Sequence, residues 1–168
     1  GFATGLGMLS TPLVAQALPA RQAVGLILPL LCLADVFTLA VYWRQWDLRL
    51  VKAPLVGTFV GILAATGFVT AISDVVLRRS IGIVGLVLTL LLVIRNRWHP
   101  DHVYRPSVLG GVAVGCAAGI ASTIAHAAGP ILALYLLAQR VDKRSFVASS
   151  GLFFAVNNLM KIPPYVHS

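Results

Sequence analysis

The stretch SVLGGVAVGCAAGIASTIAHAAGPILALYLL, running from Ser107 to Leu137, decides the fold. It is apolar enough to be covered by lipid but too long for one plain crossing, which needs about 20 residues. Ser122, Thr123, His126, Gly129 and Pro130 interrupt it. A proline has no backbone donor and disfavours helix at the residue before it, Gly129, so the hydrogen-bond ladder is expected to open near mid-membrane, with Ser122, Thr123 and His126 at the break. Irregular backbone at that depth persists only where it is buried in protein or lines a cavity. The stretch therefore reads as a broken helix inside a polytopic bundle.

Five further apolar runs extend this reading: Gly1 to Leu18, Ala23 to Tyr42, Leu55 to Ile72, Ile81 to Ile94 and Phe146 to Val166. The first repeats the interruption in miniature at Ser10, Thr11 and Pro12. The fourth is short and leans on Arg78, Arg79, Arg95 and Arg97 reaching out to the two interfaces. Composition agrees, since 58% of the 168 residues are hydrophobic and 11% charged, with a mean hydropathy of +0.90. A soluble domain carries about a quarter charged residues. The fold class is all-α, a polytopic transmembrane bundle of two related halves with interrupted helices.

The 13 Lys and Arg face five Asp and no Glu, for a net charge of +8. The missing Glu removes the HExxH metalloprotease pattern. The basic residues fall in short groups between apolar runs rather than on one face, which argues for membrane flanks and against nucleic acid. Six of them, Arg21, Arg78, Arg79, Arg140, Lys143 and Arg144, fall on one side of the membrane. Arg44, Arg49, Lys52, Arg95, Arg97 and Arg105 fall on the other, a tie that leaves orientation undecided. Trp43, Trp46, Trp98 and Tyr104 mark an interface. Cys32 and Cys116 lie inside apolar stretches and read as small hydrophobes, with no disulfide, metal or cofactor expected. His99 and His102 lie in a loop without a second ligand cluster.

An internal repeat is visible. Gly1, Ala3 and Gly5 pair with Gly115, Ala117 and Gly119, and Pro12, Leu13 and Ala15 pair with Pro130, Ile131 and Ala133 after a four-residue insertion. Each segment leads through a basic turn into a span with a polar residue near its middle, Asp35 or Asn157. The expected organisation is a first repeat of four spans over residues 1–106 and an incomplete second repeat over 107–168, with the copies sharing one orientation. The chain reads as a piece of a longer protein. Interrupted segments at corresponding places in two halves point to a transporter's binding site.

Asp35, Asn157, Asn158 and Lys161 lie within apolar spans, where an ionisable group costs about 2.5–3.5 kcal/mol on insertion scales and so faces an interior path. Asp35 could pair with Lys161 or carry a proton. Half-helices beginning near Pro130 and Pro12 would offer free N–H groups and a positive dipole end to an oxyanion. Hydroxyls of Thr11, Ser122 and Thr123, with His126 or Lys161, would complete a site for a small anion. A Ser122/His126 hydrolytic pair is the weaker reading, because no G-x-S-x-G elbow and no acidic orienter accompany it. The Gly111, Gly115, Gly119 and Gly57, Gly61 spacings place small residues on one helical face, for packing inside the chain first and for a homo-oligomer second.

The stretch GIASTIAHAAGPILALYLL followed by KRSFVASSGLFFAVNNLMKIPPY resembles the second-half signature of the TauE/SafE sulfite exporter family. GLGMLSTPLVAQALPARQAVGLILPLLCLADV resembles its first-half counterpart, with Leu6-Gly7-Met8 where many members keep a denser glycine run. The resemblance implies a multi-pass permease of the bacterial inner membrane rather than an enzyme. It would export or import sulfite, sulfonates or other small sulfur-containing or organic anions; the two related halves are read as moving the anion by alternating access, with a proton or sodium as coupling ion. The resemblance places the polar pore residues at Thr11, Pro12, Asp35, Ser122, Thr123, His126, Pro130, Asn157 and Lys161; the residues themselves add Gly129, beside Pro130 at the break, to the expected site and make Asp35 the candidate coupling carboxylate. The rival is a non-transporting integral membrane subunit.

Overall fold

The computed structural model describes the backbone of residues 2–97 and 107–166 and the side chains of 9–94 and 107–163. Trp98, His99, His102, Tyr104 and Arg105 lie outside the described residues. Seven helices and no strand form among those described: α1 (Phe2–Ala17), α2 (Ala20–Val41), α3 (Leu48–Ala71), α4 (Asp74–Arg97), α5 (Val108–Ala125), α6 (Ala128–Ala138) and α7 (Lys143–Val166). The exposed surface is apolar, including Leu26, Leu30 and Phe37 on α2, Phe59 and Leu63 on α3, and Ile83 and Leu86 on α4. The buried residues include Thr11, Thr58, Ser122, Asn157 and Lys161. Such an arrangement exposes far more contiguous apolar surface than water tolerates and suits a bilayer. Helices α2, α3, α4 and α5 are each long and apolar enough to cross one.

Helix starts follow local chemistry. Asp47 caps α3 by accepting from Arg49 N–H at 2.8 Å, and Ser107 caps α5 by accepting from Gly110 N–H at 2.9 Å. Asp142 caps α7, one carboxylate oxygen accepting from Arg144 N–H at 3.0 Å and Ser145 N–H at 3.1 Å. These bonds satisfy donors that the first helical turn leaves without partners.

Helix α3 packs most extensively against α5, and the two run parallel. A Cβ on Gly57 would overlap the Val112 carbonyl, one on Gly61 the Cys116 carbonyl, and one on Gly115 the Pro54 carbonyl. Both small-residue faces are thus spent on each other inside the chain. Thr58 Oγ1 donates to the Gly115 carbonyl at 2.9 Å across the same seam.

Four sequence expectations need correction. Helix α1 is not interrupted: it runs through Pro12, as α2 runs through Pro29 and α3 through Pro54. A membrane helix whose neighbours cover it absorbs one missing donor, so no half-helix starts at Pro12. Helix α4 begins at Asp74, so Arg78 and Arg79 lie within it rather than beyond its end. The break in the Ser107–Leu137 stretch falls at His126 and Ala127, so His126 lies at the break as expected, while Gly129, where Pro130 was expected to disfavour helix, is helical. Pro130 sits in the first turn of α6, where a missing N–H breaks no internal bond.

The fourth correction concerns topology. A Cβ on Gly111, at the start of α5, would meet the hydroxyl of Tyr135, near the end of α6. The two helices therefore fold back as a hairpin, and the stretch does not cross once. Asp47 N–H donates to Ser149 Oγ at 3.0 Å, and a Cβ on Gly151 would meet Thr38, so α7 begins at the end of the bundle where α2 finishes. Hence α2 and α7 are antiparallel, against the shared orientation expected. Arg140, Lys143 and Arg144 join Arg44, Arg49 and Lys52 at one end. Arg21 stands at the other, where its guanidinium donates to the Thr70 and Ile72 carbonyls at 3.3 and 2.8 Å.

Candidate functional site

The hairpin tip is held by unusual backbone. Helix α5 stops because His126 adopts φ 52°, ψ 32°, and its N–H returns to the Ala121 and Ser122 carbonyls. A non-glycine residue in the left-handed region costs of order 1–3 kcal/mol and persists only where its surroundings enforce it. The surroundings are Ala15, Ala20 and Val24 at the α1–α2 turn and Leu77 and Ile81 of α4, which share an apolar cluster with Ile124, Ala125 and Ala127. That packing turns the His126 ring inward, where it is 6% exposed. Its Nδ1 lies 3.4 Å from Thr11 Oγ1 on α1, and its Nε2 is buried without a partner.

One helical turn before the tip, Ser122 sits beneath α7. Its Oγ accepts from Asn157 Nδ2 at 2.7 Å and from Lys161 Nζ at 3.0 Å. The 157, 161 spacing places both donors on one face of α7. Lys161 is 0% exposed and Asn157 1%. Asn157 Nδ2 also lies 3.4 Å from Asn158 Oδ1, and Asn158 Nδ2 donates to Asp35 Oδ2 on α2 at 2.7 Å. A continuous polar chain thus runs from Asp35 through Asn158 and Asn157 to Ser122 and Lys161, joining α2, α7 and α5.

Most of the anticipated residues converge. Thr11, Ser122, His126, Asn157 and Lys161 cluster, and Asp35 reaches them through Asn158. Asp35 does not form an ion pair with Lys161; the salt bridge found among the described residues is Arg78 to Asp74, at 3.7 Å. Thr123 is buried but donates to the Gly119 carbonyl of its own helix at 2.9 Å. Pro12 is half-buried within α1. Gly129 and Pro130 are buried in the first turn of α6 and supply close packing at the tip. Sequence reasoning gave Asn158 no bond to Asp35 and missed Thr58 and Ser149. Thr58 carried the signal of a lone polar residue in an apolar run, the same signal that marked Asp35, and Ser149 that of a serine pair with Ser150.

A groove of about 600 Å³ lies elsewhere, along α2, lined by Gly25, Leu28, Pro29, Cys32, Leu33, Val36 and Ile162. Its walls are apolar and face outward, so it is distinct from the polar cluster.

An all-helical bundle with a lipid-facing exterior, a helical hairpin dipping into it and buried polar groups at the hairpin tip defines a multi-pass membrane transport protein. The chain belongs to the sulfite exporter TauE/SafE family, whose model it matches over residues 1–168. The family is one of membrane transporters of sulfur-containing anions, not of enzymes. Neither a curated protein nor a solved structure matches the chain.

Proposed function

We propose that the protein carries a sulfur oxyanion, sulfite or a small sulfonate, across a bacterial inner membrane by alternating access. The anion is received at the hairpin tip between Ser122, His126, Asn157 and Lys161. The observation that carries this reading is the donor surplus around one buried cation. Lys161 Nζ has three N–H bonds and directs one to Ser122 Oγ. Ser122 Oγ already accepts two hydrogen bonds, so its own proton remains to be donated. Helix α6 begins six residues after Ser122, at Ala128, so the positive end of its dipole belongs to the same hairpin tip. Donors without acceptors in a dry site are costly until an anion arrives. Asp35 is the coupling group of this scheme, joined to the site by the two asparagines, with a proton or sodium as its ion. Residues 1–106 and 107–168 act as two related halves, and the antiparallel α2 and α7 support an inverted arrangement about the site.

Flux of sulfite and sulfoacetate into proteoliposomes tests the reading. Lys161→Met keeps the side-chain volume, removes the charge and is expected to lower flux at least about tenfold. Asp35→Asn is expected to flatten the pH or sodium dependence of flux; unchanged dependence removes Asp35 from the coupling role. Undiminished flux in Lys161→Met would overturn the anion site.

The 3.0 Å Ser122–Lys161 contact also has the spacing of a nucleophile and its base. A serine-reactive probe separates the two readings, and no labelling of Ser122 is expected.

A further inference from the structure

The polar chain has a direction, and that direction fixes the chemistry presented to the ligand. Asn158 Nδ2 donates to Asp35 Oδ2 at 2.7 Å, the direction that the ionised, coupling-ion-free carboxylate imposes because it accepts only. The Asn158 Oδ1 is thereby left to face Asn157, at 3.4 Å. An oxygen there and the Ser122 Oγ at 2.7 Å both favour the Asn157 Nδ2 between them. With Asp35 ionised, both neighbours hold the Asn157 carboxamide in one orientation. Its Oδ1 is forced to the opposite side, where it is buried with no hydrogen-bond partner, on a residue 1% exposed.

A buried acceptor without a donor is as costly as a buried donor without an acceptor. The site therefore holds donors from Lys161 and Ser122 and, in Asn157 Oδ1, an acceptor whose place the chain fixes, while the His126 ring takes either role with its tautomer. An anion bearing only oxygens would satisfy the donors and leave Asn157 Oδ1 unpaired.

We propose that the Asp35–Asn158–Asn157 chain sets the polarity of the Asn157 carboxamide, and that Asn157 Oδ1 selects anions carrying a hydrogen-bond donor close to the sulfur oxyanion group. The proposal rests on the anion reading above and names the substrate class within it: hydroxy- or amino-substituted sulfonates, or a protonated oxyanion such as hydrogensulfite, in preference to alkylsulfonates of equal charge and size. Asn157 touches the ligand. Asn158 acts through Asn157 and is a positioning residue.

Isethionate and propane-1-sulfonate have the same charge and heavy-atom count and differ by a hydroxyl in place of a methyl, so their relative uptake into proteoliposomes reads the acceptor alone. The ratio is expected to favour isethionate by about tenfold or more. In Asn157→Leu the ratio should fall to about one. In Asp35→Asn, whose amide offers Asn158 either polarity, it should fall part of the way, and a purely structural role for Asn158 would not move it. Equal uptake of both sulfonates by the unmodified protein would overturn the selection while leaving an anion transporter in place. Uptake of neither, nor of sulfite, would overturn the anion reading itself. A preference that survives in Asn157→Leu would assign the selection to another group and refute the role of Oδ1.

Discussion

His126 Nδ1 lies 3.4 Å from Thr11 Oγ1, although 115 positions separate the two residues. This contact places the tip of the α5–α6 hairpin against the middle of α1. It also depends on the left-handed backbone at His126, because a right-handed residue there would continue α5 past the site. Backbone and side chain have different tasks at this position, and substitution can separate them.

His126→Gly keeps the turn and removes its strain, since glycine enters the left-handed region without steric cost. Its stability should equal or exceed that of the parent by up to about 1 kcal/mol once the lost ring packing is offset. His126→Ala keeps the strain, loses the ring and should be less stable than His126→Gly. Both should lose transport, because neither has an imidazole at the tip. Thermal unfolding in detergent beside sulfite flux reads the two effects. A more stable alanine variant would show that strain does not govern the turn.

The α3–α5 seam makes a sharper stability prediction. A Cβ at Gly115 would meet the Pro54 backbone, which cannot swing aside as a side chain would. Gly115→Val should therefore cost at least about 3 kcal/mol, the upper end of overpacking penalties, and lower the yield of folded protein. Gly25 on α2 has nothing within 4 Å of an added Cβ. Gly25→Ala should be neutral or stabilising by up to about 1 kcal/mol through helix propensity. Equal melting temperatures for the two variants would refute the close approach of α3 and α5.

The cap of α7 titrates outside the membrane. The Ser145 hydroxyl and backbone N–H, then the Arg144 N–H, hold the Asp142 carboxyl below its usual value of 3.8. A depressed folded value means that the carboxylate form is the one the folded state favours. Its contribution is in full force above the ordinary carboxylate range and is lost as pH falls through the depressed value. The group is fully solvated, so solvent screening keeps the effect small. Asp142→Ala should lower the melting temperature slightly at pH 7, and the gap between variant and parent should close in acid. A gap independent of pH down to the acid limit would mean that the cap acts without its charge.

The class of fold was legible because lipid imposes a simple rule: apolar runs near 20 residues become helices whatever packs against them. The polar residues were legible for the same reason, since Asp35, Asn157 and Lys161 are costly in lipid and had to be inside. The break was legible only approximately. Pro130 signalled it and placed His126 at the break, but a proline is harmless in a first helical turn, and that His126 itself takes the left-handed backbone is only a several-fold preference of its residue type. Pro12 gave the same signal where no break occurs, because the cover that α1 receives from its neighbours is a tertiary fact. The hairpin was hidden most completely. Whether Ser107–Leu137 crosses or returns depends on Tyr135 meeting Gly111, and nothing local to either residue encodes that meeting.

The hairpin unbalances the charge at the two ends of the bundle, and with it sets the orientation. Arg140, Lys143 and Arg144 move to the end that already holds Arg44, Arg49 and Lys52, and α4, beginning beside Arg21 at Asp74, runs its 24 residues toward that same end and finishes in Arg95 and Arg97. The opposite end keeps Arg21, Arg78 and Arg79, of which Arg78 is partly neutralised by Asp74. The even count expected for a single crossing becomes eight against three in these segments. Lys and Arg in short loops stay in the cytoplasm, so the Tyr42–Asp47 and Gln139–Asp142 connections should face inward and the Ile72–Ser73 connection outward. In a background without Cys32 and Cys116, a membrane-impermeant thiol reagent applied to intact cells should label Ser73→Cys and spare Gln45→Cys and Gln139→Cys. All three should react after permeabilisation. Labelling of Gln139→Cys from outside with Gln45→Cys protected would place the two connections on opposite sides and refute the hairpin, whereas labelling of both would keep the hairpin and reverse the orientation.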